Sequence, residues 1–380
     1  EDTLSLHDAL PISLTAAITL PSAISTDSTV NLTFGAATKL VLTQSAASIV
    51  NRSAFVAQPI VEVQDVSGNL VANAAITVAV TASAGNGAVL GGTTSMTSVN
   101  GIANFGNNIS GLKLTGLVGD YTLTFAKSGG GLTTDSQTVT LTHAAADHLV
   151  LTRSAAGFTS GSDFTVQPIV KVVDVDGNLI VDGIGSDATI TASVSGAATL
   201  SGTTAIQATA GVATFSNLRL TGTAGAYTLV FDVTAPSSLN TLTINQSANL
   251  VAGAAVELQF SQSPTLVSVG QIFQSTQRPV LKLVDQYGNL VTNANPINIA
   301  VTISPASATV RVGSLPTLNN GVFDLSNIDV LGTPGIDYFL TFTPDANGLS
   351  PITSPAFRVL AGAPTGMNIV QSPVGGVAGQ

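Results

Sequence analysis

Cysteine and tryptophan are both absent from this chain of 380 residues, and histidine occurs only three times. Without cysteine there is no disulfide and no thiolate to hold a metal, although this alone does not fix a compartment. Charge is also scarce. The 11 Lys+Arg and 21 Asp+Glu amount to 8% of residues, against roughly 25% in an average soluble protein. The formal net charge of −10 disfavours a nucleic-acid partner, because a phosphate backbone selects Lys/Arg patches. No run of about 18 apolar residues occurs, so no helix is expected to cross a bilayer. With four tyrosines and no tryptophan, the chain is poorly supplied with exposed aromatic platforms for sugars. What is plentiful is apolar: 44% of residues are hydrophobic, enough to build cores and to argue against long disordered tails.

Residues 3–12 read TLSLHDALPI, which matches one translated frame of a common sequencing-library adapter. Residues 1–12 are therefore set aside as an assembly artefact, and His7 and Asp8 are assigned no chemistry. The protein's own N-terminus is then expected to lie upstream, so the lack of a leader carries no information.

The remainder is one unit repeated. QPIVEVQDVSGNLV (58–71), QPIVKVVDVDGNLI (167–180) and RPVLKLVDQYGNLV (278–291) are copies. So are LTGLVGDYTLTF (114–125), LTGTAGAYTLVF (220–231) and VLGTPGIDYFLTF (330–342). A serine recurs at 45, 154, 263 and 372, in steps of 109. Val30 and Leu32 sit where Val139 and Leu141 sit one unit later. The reading is three whole units, 37–145, 146–253 and 254–363. Before them stands the C-terminal stump of a preceding unit (13–36), and after them the N-terminal stump of a further one (364–380).

Each unit reads as all-β. Val61 and Val63 alternate with Glu62, as Val170 and Val172 do with Lys171 and as Leu281 and Leu283 do with Lys282. Pro59, Pro168 and Pro279 open these strands, where a missing N–H is tolerated. Tyr121, Leu123 and Phe125 alternate in the same way, as do Tyr227, Leu229, Phe231 and Tyr338, Leu340, Phe342. No window carries a capped 3.6-residue pattern, so essentially no helix is expected. Short strands between turn signals, in units of about 100 residues, predict tandem Ig-like sandwiches of antiparallel sheets in an elongated array.

The pattern V-x-D-x-x-G-N-L-V, then a Gly-Val-Ala-Thr-Phe-like strand, then Leu-Thr-Gly-x-x-Gly-x-Tyr-Thr-Leu-x-Phe resembles the bacterial immunoglobulin-like repeats of invasin/intimin-type surface adhesins, over roughly residues 13–380. The resemblance implies an Ig-like sandwich in an extracellular or surface-anchored bacterial protein. It supplies no catalytic residue and no cofactor.

Four groups of residues invite a functional reading. Asp65-Val-Ser-Gly-Asn69 recurs at Asp174–Asn178 and Asp285–Asn289. Oxygen ligands could hold Ca²⁺ there, and Asp174 with Asp176 is the one carboxylate pair. The middle residues are not equivalent between copies, which favours a tight turn in which Asp bonds nearby N–H groups. The tyrosines at 121, 227 and 338 are read as core rings whose hydroxyls bond backbone, as in a tyrosine corner. Tyr287 lies in a turn of one unit only and is expected to be exposed. His143 and His148 flank a unit boundary; their counterparts, Phe34 and Lys39 before and Ala252 and Glu257 after, supply no metal or triad partners, so both are read as solvent or edge residues.

The boundary residues Gly35-Ala36-Ala37, Ala144-Ala145-Ala146, Gly253-Ala254-Ala255 and Gly362-Ala363-Pro364 are small and few, which leaves no coil-like tether. The expectation is therefore a non-enzymatic stalk or spacer whose partners are the neighbouring repeats of its own chain. The alternative is a module that binds a host or cell-surface glycan or protein through the loops of one repeat.

Overall fold

The computed structural model describes residues 12–17, 25–83, 86–314, 316–346 and 348–371. The adapter-like string up to Pro11, with His7 and Asp8, lies outside them, as does most of the C-terminal stump. The described chain is built from strands, with two single-turn 3₁₀ segments, Phe105–Asn107 and Ser237–Leu239, and no α-helix. Among the described residues no helix is long and apolar enough to cross a membrane.

Three hydrophobic cores follow one another along the chain. The first draws on residues from Leu40 to Leu141, the second on Leu149 to Leu250, and the third on Leu258 to Val359. Each lies between sheets. In the first, Lys39–Gln44, Ile60–Gln64 and Ile102–Asn104 form one sheet. Asp135–Leu141, Gly119–Lys127, Thr77–Ala82 and Ser95–Thr97 form the other. The second repeats this order with His148–Arg153, Ile169–Val173 and Val212–Thr214 facing Thr243–Leu250, Gly225–Ala235, Thr189–Ser195 and Ala205–Gln207. The third keeps the same central strands, Val280–Val284 and Asp337–Pro344, but adds a parallel pair between Leu266–Ser268 and Phe357–Leu360.

The period-2 pattern explains which face is inside. Val61, Val63, Val170, Val172, Leu281 and Leu283 have no exposed surface, while the intervening Glu62, Lys171 and Lys282 are half-buried. The preceding prolines stand immediately before Ile60, Ile169 and Val280, the first residues of these strands. On the opposite sheet Leu123, Phe125, Leu229, Phe231, Leu340 and Phe342 are buried. Phenylalanine rings meet across the sandwich edge-on or tilted. Phe105 lies 6.1 Å from Phe125 and Phe215 lies 5.4 Å from Phe231, both within the usual range for aromatic pairs. A shift of register recurs in the first strand of every sandwich, at Leu42/Gln44, Leu151/Arg153 and Phe260/Gln262. Ahead of the first core, Ile12–Ala17 and Ser25–Val30 pair as an antiparallel hairpin with Ile12 opposite Val30. Tyr121 stands opposite Val139 in the same register one unit later.

Candidate functional site at the joints between sandwiches

The recurring Asp-x-x-Gly-Asn segment is a tight turn, and the turn is built by its own aspartate. Asp65 Oδ1 accepts the N–H groups of Ser67 and Asn69 at 3.0 and 2.9 Å. Asp174 does the same for Asp176 and Asn178, both at 2.9 Å, and Asp285 for Tyr287 and Asn289 at 2.8 and 3.0 Å. The glycine in each copy has φ between +77° and +90°, the left-handed region that favours glycine.

The second carboxylate oxygen reaches outside the turn, to the linker that enters the sandwich. Asp65 Oδ2 accepts the N–H of Gly35 at 2.7 Å. Asp174 Oδ2 accepts Ala144 N–H at 2.9 Å, and Asp285 Oδ2 accepts Gly253 N–H at 2.7 Å. These are the small boundary residues that the sequence places between units. A buried carboxylate is costly unless it is fully hydrogen-bonded. Asp174 has no exposed surface and receives five N–H donors: three backbone groups and the side chains of Asn51 and Asn178. Burial pushes its pKa up, but the donors from Ala144, Asn178 and Asn51 outweigh this and hold it at about 2. Asp65 is also held at about 2, first by the Gly35 N–H and then by Asn69. Asp285 is lowered as well: its Asn289 and Gly253 donors outweigh the effect of burial.

The asparagine that closes the turn reaches the preceding sandwich. Asn178 Oδ1 accepts Val118 N–H at 2.8 Å, and its Nδ2 donates to Gly116 O at 2.9 Å. Asn289 repeats both contacts on Ala224 N–H, at 2.6 Å, and Gly222 O, at 2.8 Å. The clamped segment is the Leu-Thr-Gly-x-x-Gly turn in each case. Asn178 is 3% and Asn289 is 5% exposed, so each carboxamide is buried and would be expensive to leave unpaired.

Around this shared clamp the two joints differ. At the first, Asn51 Nδ2 donates to Asp174 Oδ2 at 2.9 Å and Asp176 Oδ2 at 2.7 Å, while its own Oδ1 accepts Gly116 N–H. Arg52 donates through Nε and Nη2 to the two oxygens of Asp176, each at 2.7 Å. The guanidinium, and then Asn51, hold the Asp176 carboxyl below its usual range. At the second joint Ser160 takes the place of Asn51, its hydroxyl bonding Gly222 at 3.1 and 3.2 Å.

The structure thus brings Asp174 and Asp176 together, but around N–H donors. A cation between them would have to displace the Asn51 amide and the Arg52 guanidinium, so the donor set does not fit Ca²⁺ as it stands. Among the described residues no third His, Asp or Glu completes the pair.

The remaining sequence candidates are also placed. Tyr121 donates from its hydroxyl to Leu117 O at 2.6 Å, and Tyr227 to Thr223 O at 2.8 Å. Tyr338 Oη accepts Thr333 N–H at 2.9 Å. Tyr227 is only half-buried, unlike Tyr121 and Tyr338. Tyr287 is 39% exposed, yet it is a joint residue: a Cβ built on Gly161 would lie 3.9 Å from its ring. His148 is exposed beside Asp147. His143, read as a solvent or edge residue, is largely covered. Its side chain is 14% exposed and its Nε2 lies 3.2 Å from Asp182 of the second sandwich.

No family model matches the chain, and no curated protein matches it. Among solved structures it is similar to FdeC, an adhesin of Escherichia coli, at 18% identity over 86% of this chain and 99% of that one, with a TM-score of 0.42. It is also similar to InvD of Yersinia pseudotuberculosis, at 14% identity over 84% of this chain and 96% of that one, with a TM-score of 0.34. Domains 1–6 of the surface layer protein SbsC align at 15% identity over 90% of this chain and 42% of theirs, with a TM-score of 0.29.

Proposed function

We propose that this chain is part of a stalk or spacer in a large extracellular or surface-attached bacterial protein, with Ig-like repeats at 37–145, 146–253 and 254–363. The observation that carries the reading is the doubly bonded asparagine at both joints, Asn178 on Gly116 and Val118 and Asn289 on Gly222 and Ala224. With the aspartate gripping the linker from the same turn, each boundary is held from two sides and has none of the slack of a flexible tether. The work is geometric: it holds whatever lies beyond the array at a distance. No residue is assigned a catalytic role.

Small-angle scattering tests this. A strand of about ten residues spans ~33 Å, which sets the scale of one repeat. Fragments of one, two and three repeats starting at Ala37 should lengthen in nearly equal steps, and none should bind a glycan array. A three-repeat particle barely longer than a two-repeat one sinks the spacer. Saturable glycan binding that maps to one loop makes the protein a binding module instead.

A further inference from the structure

Arg52 has φ +66°, in the left-handed region where an L side chain is strained. Its counterparts in the next two sandwiches are glycines, Gly161 at φ +80° and Gly270 at φ +68°. The backbone establishes the equivalence. Arg52, Gly161 and Gly270 donate their N–H groups to Leu114, Leu220 and Val330, at 2.8, 2.9 and 3.0 Å. Glycine would therefore satisfy the fold at residue 52, without the strain.

What arginine adds lies on the neighbouring sandwich. Its two parallel bonds to Asp176 form the bidentate geometry that makes guanidinium–carboxylate pairs directional. Asn51 reinforces them by bonding Asp174 and Asp176 together. At the second joint both sides change. Gly161 replaces the arginine, and Tyr287 stands where Asp176 stood. The space left by the missing side chain is taken by Gln286 and Tyr287, whose Nε2 and Cε2 atoms lie 3.3 and 3.9 Å from a Cβ built on Gly161. Arginine occurs with aspartate and glycine with tyrosine.

We propose that these pairs are neighbour-selecting keys. The distal face of the first repeat, centred on Asn51 and Arg52, is a docking surface for an Asp-x-Asp-Gly-Asn loop. It discriminates against an Asp-x-Tyr-Gly-Asn loop, which would leave the guanidinium unpaired and crowd it with a ring. The first joint is accordingly locked by charge, and the second is packed without it. The inference rests on clamped joints, as the spacer reading does, but holds whether or not the array acts as a spacer.

The chain has no native cysteine, so spin labels can be placed uniquely at equivalent exposed positions. Thr97→Cys with Gln207→Cys spans the first joint of the full chain, and Gln207→Cys with Thr317→Cys spans the second. At low ionic strength, pulsed dipolar spectroscopy should show that Arg52→Asp or Asp176→Arg alone broadens the first distance distribution and leaves the second unchanged. Combining the two reversals should return the narrow distribution, which a merely steric role for either residue would not do. Arg52→Gly, the residue the sister repeats carry, keeps the fold and should also broaden the first joint. A first joint as narrow in Arg52→Gly as in the parent overturns the proposal, and so does a double reversal as broad as its singles.

Discussion

Asn178 holds Val118 across 60 residues of sequence and a sandwich boundary, its carboxamide oxygen 2.8 Å from the Val118 nitrogen. The same carboxamide donates to Gly116 O and to Asp174 Oδ2. One side chain therefore ties the preceding turn to the carboxylate that grips the linker. Asn178→Ala removes both part-buried bonds to the preceding turn and leaves Asp174 without one of its donors, and it should destabilise the joint by about 1–3 kcal/mol. Asn178→Asp should be worse than alanine, because a second carboxylate would face Asp174 where a donor stood. Hydrogen exchange at Val118 and Ala144 reads this directly. Faster exchange at these amides, with Leu123 and Phe125 unchanged, is the expected result; equal protection in all three proteins would show that Asn178 does not clamp the joint.

Acid should loosen the same place. Asp65 and Asp174 are held at about 2 in the folded chain, against about 3.9 for an aspartate in an unfolded chain. The folded state thus binds fewer protons between these values, so the stabilisation is fully present above about pH 4 and is lost as pH falls toward 2. Asp176, lowered by Arg52 and Asn51, acts in the same direction. The thermal midpoint of the chain should be flat from about pH 5 to 7 on this account. Asp174→Asn should lower it there, and the gap between parent and variant should close as pH approaches 2. A gap that persists undiminished in acid would mean the carboxylate's charge does not matter to the joint.

The strands were legible because their signal is local. Alternation at Val61/Val63 or Leu229/Phe231 needs only neighbouring residues, and proline before Ile60 marks where pairing begins. The Asp-x-x-Gly-Asn turn was legible for the same reason, since its glycine and its aspartate act within five residues. The joint was not. Nothing in the order of residues says that the second oxygen of Asp174 meets Ala144, or that Asn178 meets Gly116, because those pairs are made by the placing of one sandwich on another. A trace was present: Asp and Asn recur in all three copies while the two residues after the aspartate vary, which a turn alone does not demand of the asparagine. Tyr287 is exposed as its turn position predicts, but its place at the joint was not legible, and His143 is covered where a solvent or edge position was expected. Each looks unconstrained within its own repeat and meets a residue of the neighbouring one, Gly161 for Tyr287 and Asp182 for His143.

The assignment of faces in the second sandwich is open to a direct comparison. Phe231 has no exposed surface and packs at 5.4 Å on Phe215. Phe231→Ala should cost roughly 3–5 kcal/mol, the usual result of emptying a buried aromatic site. Thr228 lies on the other face of the same strand, opposite Ser247 and Ser195, and Thr228→Ala should change stability by no more than about 0.5 kcal/mol. Chemical denaturation of residues 146–253 would measure both. A larger loss at Thr228 than at Phe231 would invert the faces.

Calcium offers the sharpest contrast between the two uses of Asp174 and Asp176. Two carboxylates and an asparagine in a tight turn present the hard oxygens that Ca²⁺ takes, but the ion commonly takes six to eight of them. Here every Asp176 contact is already a nitrogen donor, two from Arg52 and one from Asn51. To enter, the ion would have to break the bidentate pair and put its charge beside the freed guanidinium. Millimolar Ca²⁺ should therefore leave the melting of the second sandwich where it was, in the parent and in Asp176→Ser alike. Arg52→Gly is the informative variant, because it removes the competing cation and leaves both carboxylates in place. If a saturable shift occurs anywhere it should occur there. A saturable shift in the parent, confined to the second sandwich and abolished by Asp176→Ser, would show that the loop is a cation site and that Arg52 yields to the ion.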